Sequence, residues 1–192
     1  MPTPQALEKC WVPNQGAACT TAAILAGLRA LGARHLPELG AACRRLGASV
    51  PYGAPGLLDY VAVPGRPAPL DRRVERLAAE HGLRIRSRTS PWVPWRRLRP
   101  APGEVLVANL AWGQERPGRY GTWGWHPLRP STYATGGHSV VLAAADAGGW
   151  LVLDPNHPGL QRWPRPGLAV TVTRLRRLEG SSPPPPSSDA PR

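Results

Sequence analysis

One cysteine of the chain stands where its thiol could act as a nucleophile. Cys19 begins an almost wholly apolar run that reaches Leu31, and a run of that length predicts a helix buried on most sides. The unpaired backbone N–H groups at the start of a helix favour negative charge, so a thiolate would be stabilised there. Read alone, Cys19 could also be a small core residue at a helix start.

A histidine further along the chain could act as the general base that such a nucleophile needs. His138 follows Gly136 and Gly137 and is predicted to open a buried strand over 139–144. Two neighbours without side chains would let another residue approach the imidazole closely. The alternatives are a purely structural role for His138 and a rival base, His126, whose ring would be poorly fixed in its predicted loop.

An aspartate could orient that base. A turn over 146–149 joins the strand after His138 to a second predicted strand over 150–153, which is a strong hairpin pattern. His138 and Asp154 would then meet at the open end of the hairpin, where a carboxylate can accept the imidazole N–H and fix its tautomer. Asp154 could instead serve an Asp-Pro turn, and the amide of Asn156 could take the orienting role.

Acyl transfer also needs hydrogen-bond donors for the oxyanion that forms on the attacked carbonyl. Gln15 stands four residues before Cys19 in a glycine-containing segment. Its side-chain amide and the backbone N–H of Cys19 could supply two such donors. The sequence therefore holds candidates for every part of a thiol acyl-transfer site.

Two parts of the sequence resemble known cysteine peptidases. The segment Val12-Pro-Asn-Gln-Gly-Ala-Ala-Cys19-Thr-Thr-Ala is similar to the nucleophile segment of papain-like cysteine proteases. Later motifs resemble bacteriocin-processing (double-glycine) peptidase domains and their stand-alone bacterial relatives: Gly136-Gly-His138-Ser-Val-Val-Leu and Trp150-Leu-Val-Leu-Asp154-Pro155. The resemblance runs in order from about residue 10 to residue 165.

The resemblance implies a papain-like fold and a role for each candidate: Cys19 as nucleophile, His138 as base, Asp154 as orienting group and Gln15 as oxyanion donor. The chain departs from the family pattern at two points. The separation of four residues between Gln15 and Cys19 is shorter than usual, and Thr20 stands where Gly or Trp commonly follows the cysteine.

The favoured function is a cysteine peptidase or related thiol amidohydrolase that forms an acyl-thioester on Cys19 and then hydrolyses it. The expected substrate is a peptide or protein. The alternatives are an acyltransferase that uses the same triad, a catalytically inactive papain-like binding module, and an arginine-rich nucleic-acid binder. Neither a cofactor nor a metal is expected, because Cys10, Cys19 and Cys43 form no Cys-x-x-Cys motif.

The charge of the chain is strongly positive. Its 24 basic residues outnumber 12 acidic ones, and all but Lys9 are arginine. That excess predicts salt-sensitive, non-specific adhesion to nucleic acid, although no nucleic-acid-binding motif accompanies it. The sequence shows neither an apolar run long enough for a membrane span nor a secretory signal, so we expect a cytoplasmic protein with reduced thiols.

The elements that would position these residues form an α+β pattern, with helices first and an antiparallel sheet after them. We predict one domain over 1–178 and a disordered Pro/Ser-rich tail over 179–192. The predicted order is an extended segment over 1–13, helices over 19–31, 36–46 and 55–62, a helix from an Asp71 N-cap to Gly82, and strands over 83–87, 104–112, 139–144, 150–153 and 168–175. The remaining segments 90–103 and 113–137 are predicted loops, and the tryptophans of the second (Trp123 and Trp125, beside Trp112) would either wall a cleft or cover the sheet.

Overall fold

A computed structural model describes residues 3–16, 18–47, 60, 66–94, 97–116, 119–123, 134–146, 149–163 and 168–178. Four helices come first in this part of the chain: α1 (Pro4–Glu8), α2 (Cys19–Ala30), α3 (Leu39–Arg45) and α4 (Pro69–Glu80). Seven strands follow: β1 (Ile85–Pro94), β2 (Glu104–Arg116), β3 (Arg119–Trp123), β4 (Ala134–Asp146), β5 (Gly149–Leu153), β6 (Leu160–Trp163) and β7 (Leu168–Arg177). The predicted α+β class is confirmed.

The strands form one antiparallel sheet. Their order is β1-β7-β2-β4-β5-β6, and β3 pairs with β2 outside that path. The predicted hairpin is present, because β4 pairs with β5 from Asp146↔Gly149 to Val141↔Leu153. The last described strand, β7, lies between β1 and β2 in the sheet.

Helix α2 is buried on most sides, as its apolar run predicts. It contacts β2, β4, α1 and α3, and its residues from Cys19 to Leu28 are all buried. Gly27 lets it approach the sheet closely, because a Cβ there would lie 2.9 Å from Leu175 Cδ1 and 3.2 Å from Val105 Cγ1. The opposite face of the sheet carries a second apolar cluster that includes Leu98, Leu106, Leu142, Trp150 and Val172.

Two predictions near helix starts are wrong. Residues 4–8 form a short helix rather than an extended segment, because the Thr3 side chain accepts a hydrogen bond from Ala6 N–H and Pro4 suits the first helical position. Asp71 is not an N-cap, since α4 already begins at Pro69. The buried Asp71 carboxylate instead accepts one hydrogen bond from the Ser87 hydroxyl and one from the Thr89 hydroxyl, each at 2.8 Å.

The strands are longer than the sequence predicts. Strand β1 continues through Pro91 to Pro94, which is tolerated because β1 lies at the edge of the sheet and pairs only with β7 among the described strands. The predicted loop over 113–137 contributes the end of β2, all of β3 and the first residues of β4. His138 therefore lies inside a strand and does not open it.

Several predictions fall outside the described residues. These are the helix over 55–62, of which only Tyr60 is described, the tail over 179–192 and the placement of the Trp112, Trp123 and Trp125 side chains. In the described segments, no helix has the length and apolar content needed to cross a membrane.

Candidate active site

The β4–β5 hairpin brings His138 and Asp154 together, as its predicted geometry requires. His138 lies in β4, and Asp154 directly follows the last residue of β5. Nε2 of His138 lies 2.8 Å from Oδ1 of Asp154, and both residues are buried. The backbone N–H of Asn156 donates to the same carboxylate oxygen at 2.8 Å. The carboxylate is therefore held between the imidazole and the following turn.

The start of α2 places Cys19 against this pair. His138 and the backbone N–H and hydroxyl of Ser139 act on the Cys19 thiol through hydrogen bonding and lower its pKa, which places both residues beside it. The N-cap residue, Ala18, provides no side-chain acceptor for the N–H groups of the first turn of α2.

The segment before Cys19 is tied to the turn that carries Asp154. The indole N–H of Trp11 donates to the Asp154 carbonyl at 2.9 Å, and the backbone N–H of Asn14 donates to the Pro155 carbonyl at 2.8 Å. The Asn14 amide also donates to Oδ1 of Asn156 at 2.8 Å. These three bonds fix the segment before Cys19 relative to Asp154. They also engage the Asn156 side chain with Asn14, and it is Asp154 whose carboxylate lies against the His138 imidazole.

The three groups shift one another's protonation. Burial raises the pKa of the Cys19 thiol, but hydrogen bonds and charge attraction from His138, with hydrogen bonds from Ser139, hold that pKa below its ordinary value. Burial lowers the pKa of His138, yet Asp154 and Cys19 raise it to about 9. Burial raises the pKa of Asp154, and the hydrogen bond and charge of His138 lower it below its usual range. The lowered pKa of Cys19 and the raised pKa of His138 both favour a thiolate–imidazolium pair, with the Asp154 carboxylate next to the imidazolium.

One aromatic neighbour of the triad was not predicted from the sequence. The Trp163 ring, on β6, lies 6.3 Å from the His138 ring, centroid to centroid, at an interplanar angle of 37°. Strand β6 is only four residues long, and its pattern gives no period from which to predict a strand. The tethering residues Trp11 and Asn14 were likewise missed, although Asn14 belongs to the segment that resembles the nucleophile motif.

Among the described residues, no hydrogen bond joins Gln15 to Cys19, His138 or Asp154. Its side chain is exposed and lines a cavity of about 320 Å³ together with Val12, Arg29, Glu38 and neighbouring residues. Its role as oxyanion donor stays a prediction. The rival base His126 lies outside the described residues.

The other two cysteines differ from Cys19 in their surroundings. All three are free thiols. Cys43 is buried in the core cluster, and burial raises the pKa of the Cys10 thiol. Within the described residues, no three His, Cys, Asp or Glu side chains are grouped so as to hold a metal ion.

The chain was also compared with known proteins. Comparison with protein-family models finds no match, and comparison with curated proteins finds none either.

Proposed function

We propose that the protein is a cysteine peptidase or a related thiol amidohydrolase that acts through a Cys19–His138–Asp154 triad. The observation that carries the proposal is the continuous buried chain from the Cys19 thiol through the His138 ring to the Asp154 carboxylate. A histidine with a purely structural role needs only one hydrogen-bond partner. An imidazole held between a carboxylate and a thiol of lowered pKa has instead the arrangement of an activated nucleophile.

The reaction follows from the protonation states. The Cys19 thiolate attacks the carbonyl carbon of an amide, and a tetrahedral oxyanion forms. The imidazolium of His138 donates its proton to the leaving nitrogen, so the C–N bond breaks and a thioester remains on Cys19. Neutral His138 then takes a proton from water as that water attacks the thioester, and the thiolate leaves as the acid product forms. Asp154 holds the ring in the required tautomer throughout.

The oxyanion would lie at the positive end of α2. The Cys19 backbone N–H is placed there at the first residue of the helix. Gln15 is the proposed second donor, and a rotation of its exposed side chain toward Cys19 on substrate binding would complete the pair.

The fold is compatible with a papain-like domain. A buried helix carries the nucleophile at its first residue and packs on an antiparallel sheet, and that sheet carries the base. This arrangement and the motif resemblance support the peptidase reading over an arginine-rich nucleic-acid binder, for which a buried Cys–His–Asp chain has no use.

A generic activated acyl donor tests the proposal without knowledge of the natural substrate. We expect 4-nitrophenyl acetate to give a rapid burst of nitrophenolate and an acetyl group on Cys19, found by peptide mapping. Cys19→Ser should abolish the burst, and Cys43→Ser should keep it as the matched control. A burst that survives Cys19→Ser, or acetylation spread over Cys10 and Cys43, would overturn the proposal.

A further inference from the structure

A row of polar side chains crosses the sheet beneath the first turn of α2. Ser139 on β4 pairs in register with Asn109 on β2, and Asn109 pairs with Thr171 on β7. The next row on the same face begins with the apolar pair Val107 and Val141. Three strands thus each place one hydrogen-bonding side chain at the level of the nucleophile. We call Ser139, Asn109 and Thr171 the polar row.

The polar row is joined by hydrogen bonds that fix the orientation of its amide. Nδ2 of Asn109 donates to the Thr171 hydroxyl at 2.5 Å, so Oδ1 of Asn109 faces Ser139 and accepts from the Ser139 hydroxyl. The Ser139 hydroxyl also lies 2.7 Å from the Thr20 hydroxyl, directly after Cys19, in a buried contact. The Tyr60 hydroxyl in turn donates to Thr20 at 3.2 Å.

The Ser139 hydroxyl has one proton to donate, and its neighbours limit where that proton can go. Since Thr20 accepts from Tyr60, its own proton is available for the Ser139 oxygen. The single proton of Ser139 then has two acceptors: Oδ1 of Asn109, which accepts it in the structure, and the Cys19 sulfur, whose pKa is lowered by hydrogen bonding from the Ser139 hydroxyl. A thiolate is the stronger acceptor of the two, whereas the sulfur of a thioester carries no charge and accepts weakly.

We propose that the Ser139 hydroxyl is a switched donor, which hydrogen bonds to the Cys19 sulfur while that sulfur is anionic and turns to Asn109 Oδ1 once the sulfur is acylated. No covalent bond changes in the switch, because only the direction of one O–H bond rotates. The inference rests on the proposed thiol chemistry of Cys19. It assigns to Ser139 a role in holding the free enzyme ready, and to Asn109 the role of taking the hydroxyl when the thioester forms.

Two variants test the switch because they should shift the pKa of the Cys19 thiol in opposite directions. Ser139→Ala removes the donor, so the lower limb of the iodoacetamide alkylation profile of Cys19 should move up by roughly one pH unit, a roughly tenfold slower reaction on that limb. Asn109→Ala removes the competing acceptor, so the limb should move to lower pH. A general disturbance of the structure would not shift the alkylation profiles of the two variants in opposite directions.

Controls separate the hydroxyl from its surroundings. Ser139→Thr keeps the hydroxyl and should retain the wild-type limb. Thr173→Val removes another buried hydroxyl, which lies 3.0 Å from that of Thr89, and should leave the limb unchanged. The charged groups that act on the triad, His138 on β4 with Asp154 and His157 after β5, are the same in all four variants.

The outcomes distinguish this inference from the proposed function. A limb that stays at the wild-type pH in Ser139→Ala, or one that rises in Asn109→Ala, overturns the switch and leaves the triad intact. If Ser139→Ala does not fold, Asn109→Ala carries the test alone, and only a move to lower pH supports the switch. If His138→Ala also leaves the alkylation profile unchanged, the thiol chemistry itself fails.

Discussion

At the scale of the residue, the site depends on one buried carboxylate. Asp154 is 1% exposed and gives its Oδ1 to both the His138 ring and the Asn156 backbone. Removing its charge would leave the His138 imidazolium buried beside an amide, and a buried charge without its partner is strongly unfavourable. The protonation of His138 is therefore the property that most directly reports on Asp154.

Asp154→Asn should lower the pKa of His138 from about 9 toward the ordinary histidine value. We expect the upper limb of the hydrolysis profile to move to lower pH, and the rate at neutral pH to fall by about a hundredfold. A pH series of acyl-donor hydrolysis measures both effects. An upper limb that stays where the wild type has it would show that the carboxylate does not hold the imidazolium.

The same substitution has a pH-dependent effect on stability with a defined sign. The raised pKa of His138 stabilises the fold fully below about 6.5, and this contribution is lost as pH rises through about 9. The lowered pKa of Asp154 stabilises the fold above about 3.9, and this contribution is lost as pH falls through the folded value. Urea unfolding of wild type and Asp154→Asn should therefore differ most between these limits. An equal difference at all pH values would contradict the coupling.

The three residues of the proposed triad could be brought together from the sequence, while the residues that hold them in place could not be predicted. Cys19, His138 and Asp154 are marked by local patterns: a helix start, a glycine pair and a strand end. Trp11 acts through an indole bond to a carbonyl 143 residues away, and no local pattern encodes such a contact. Ser139 reads as an ordinary strand residue until the register shows Asn109 opposite it.

At the scale of the element, helix α2 must lie close to the sheet for Cys19 to reach His138. Gly27 permits that approach, because Leu175 and Val105 pack into the space that a side chain at this position would occupy. Leu175 is fully buried, so it has little room to move away.

Gly27→Ala should destabilise the protein by about 1–3 kcal/mol, since overpacking outweighs the gain in helix propensity. The matched control is Gly40→Ala in α3, whose added Cβ would meet only the end of Arg44 at 4.0 Å. That control should be neutral or slightly stabilising. Equal free energies of unfolding for the two variants would show that α2 does not need the close approach.

Element types followed from the sequence more reliably than element lengths. The apolar run of α2 and the short turn of the β4–β5 hairpin are local signals, and both elements are present. The proline-containing end of β1 and the end of β2, from residue 113 onward, are predicted as loops. They are strands because pairing across the sheet outweighs weak local propensity, most easily at an edge where a missing N–H is tolerated.

At the scale of the whole molecule, the charge of +12 is unevenly placed. Arg86 and Arg88 on β1 pair in register with Arg176 and Arg174 on β7, so two pairs of like charges face each other across the strands. Glu104 lies 3.0 Å from Arg174 and offsets part of that repulsion. Like charges directly opposite each other destabilise a sheet, and salt screens them when they are exposed.

Arg86→Glu should therefore stabilise the protein by about 0.2–1 kcal/mol, because a carboxylate would then face Arg176. Arg34→Glu changes the net charge equally on an exposed residue outside the sheet, and it should have a smaller effect. The gain should shrink in high salt. Equal stabilisation by both variants would trace the effect to net charge rather than to the facing pair.

The activation of the Cys19 thiol by His138 is tested most directly by alkylation with iodoacetamide. The rate at Cys19 is measured between pH 4 and 10 in wild type and in His138→Ala. Peptide mapping reads Cys10 and Cys43 in the same samples as internal references. We expect fast labelling of wild-type Cys19 well below the ordinary thiol pKa of about 8.5, and loss of that reactivity in His138→Ala. Ordinary thiol behaviour of Cys19 in both proteins would contradict the activated nucleophile.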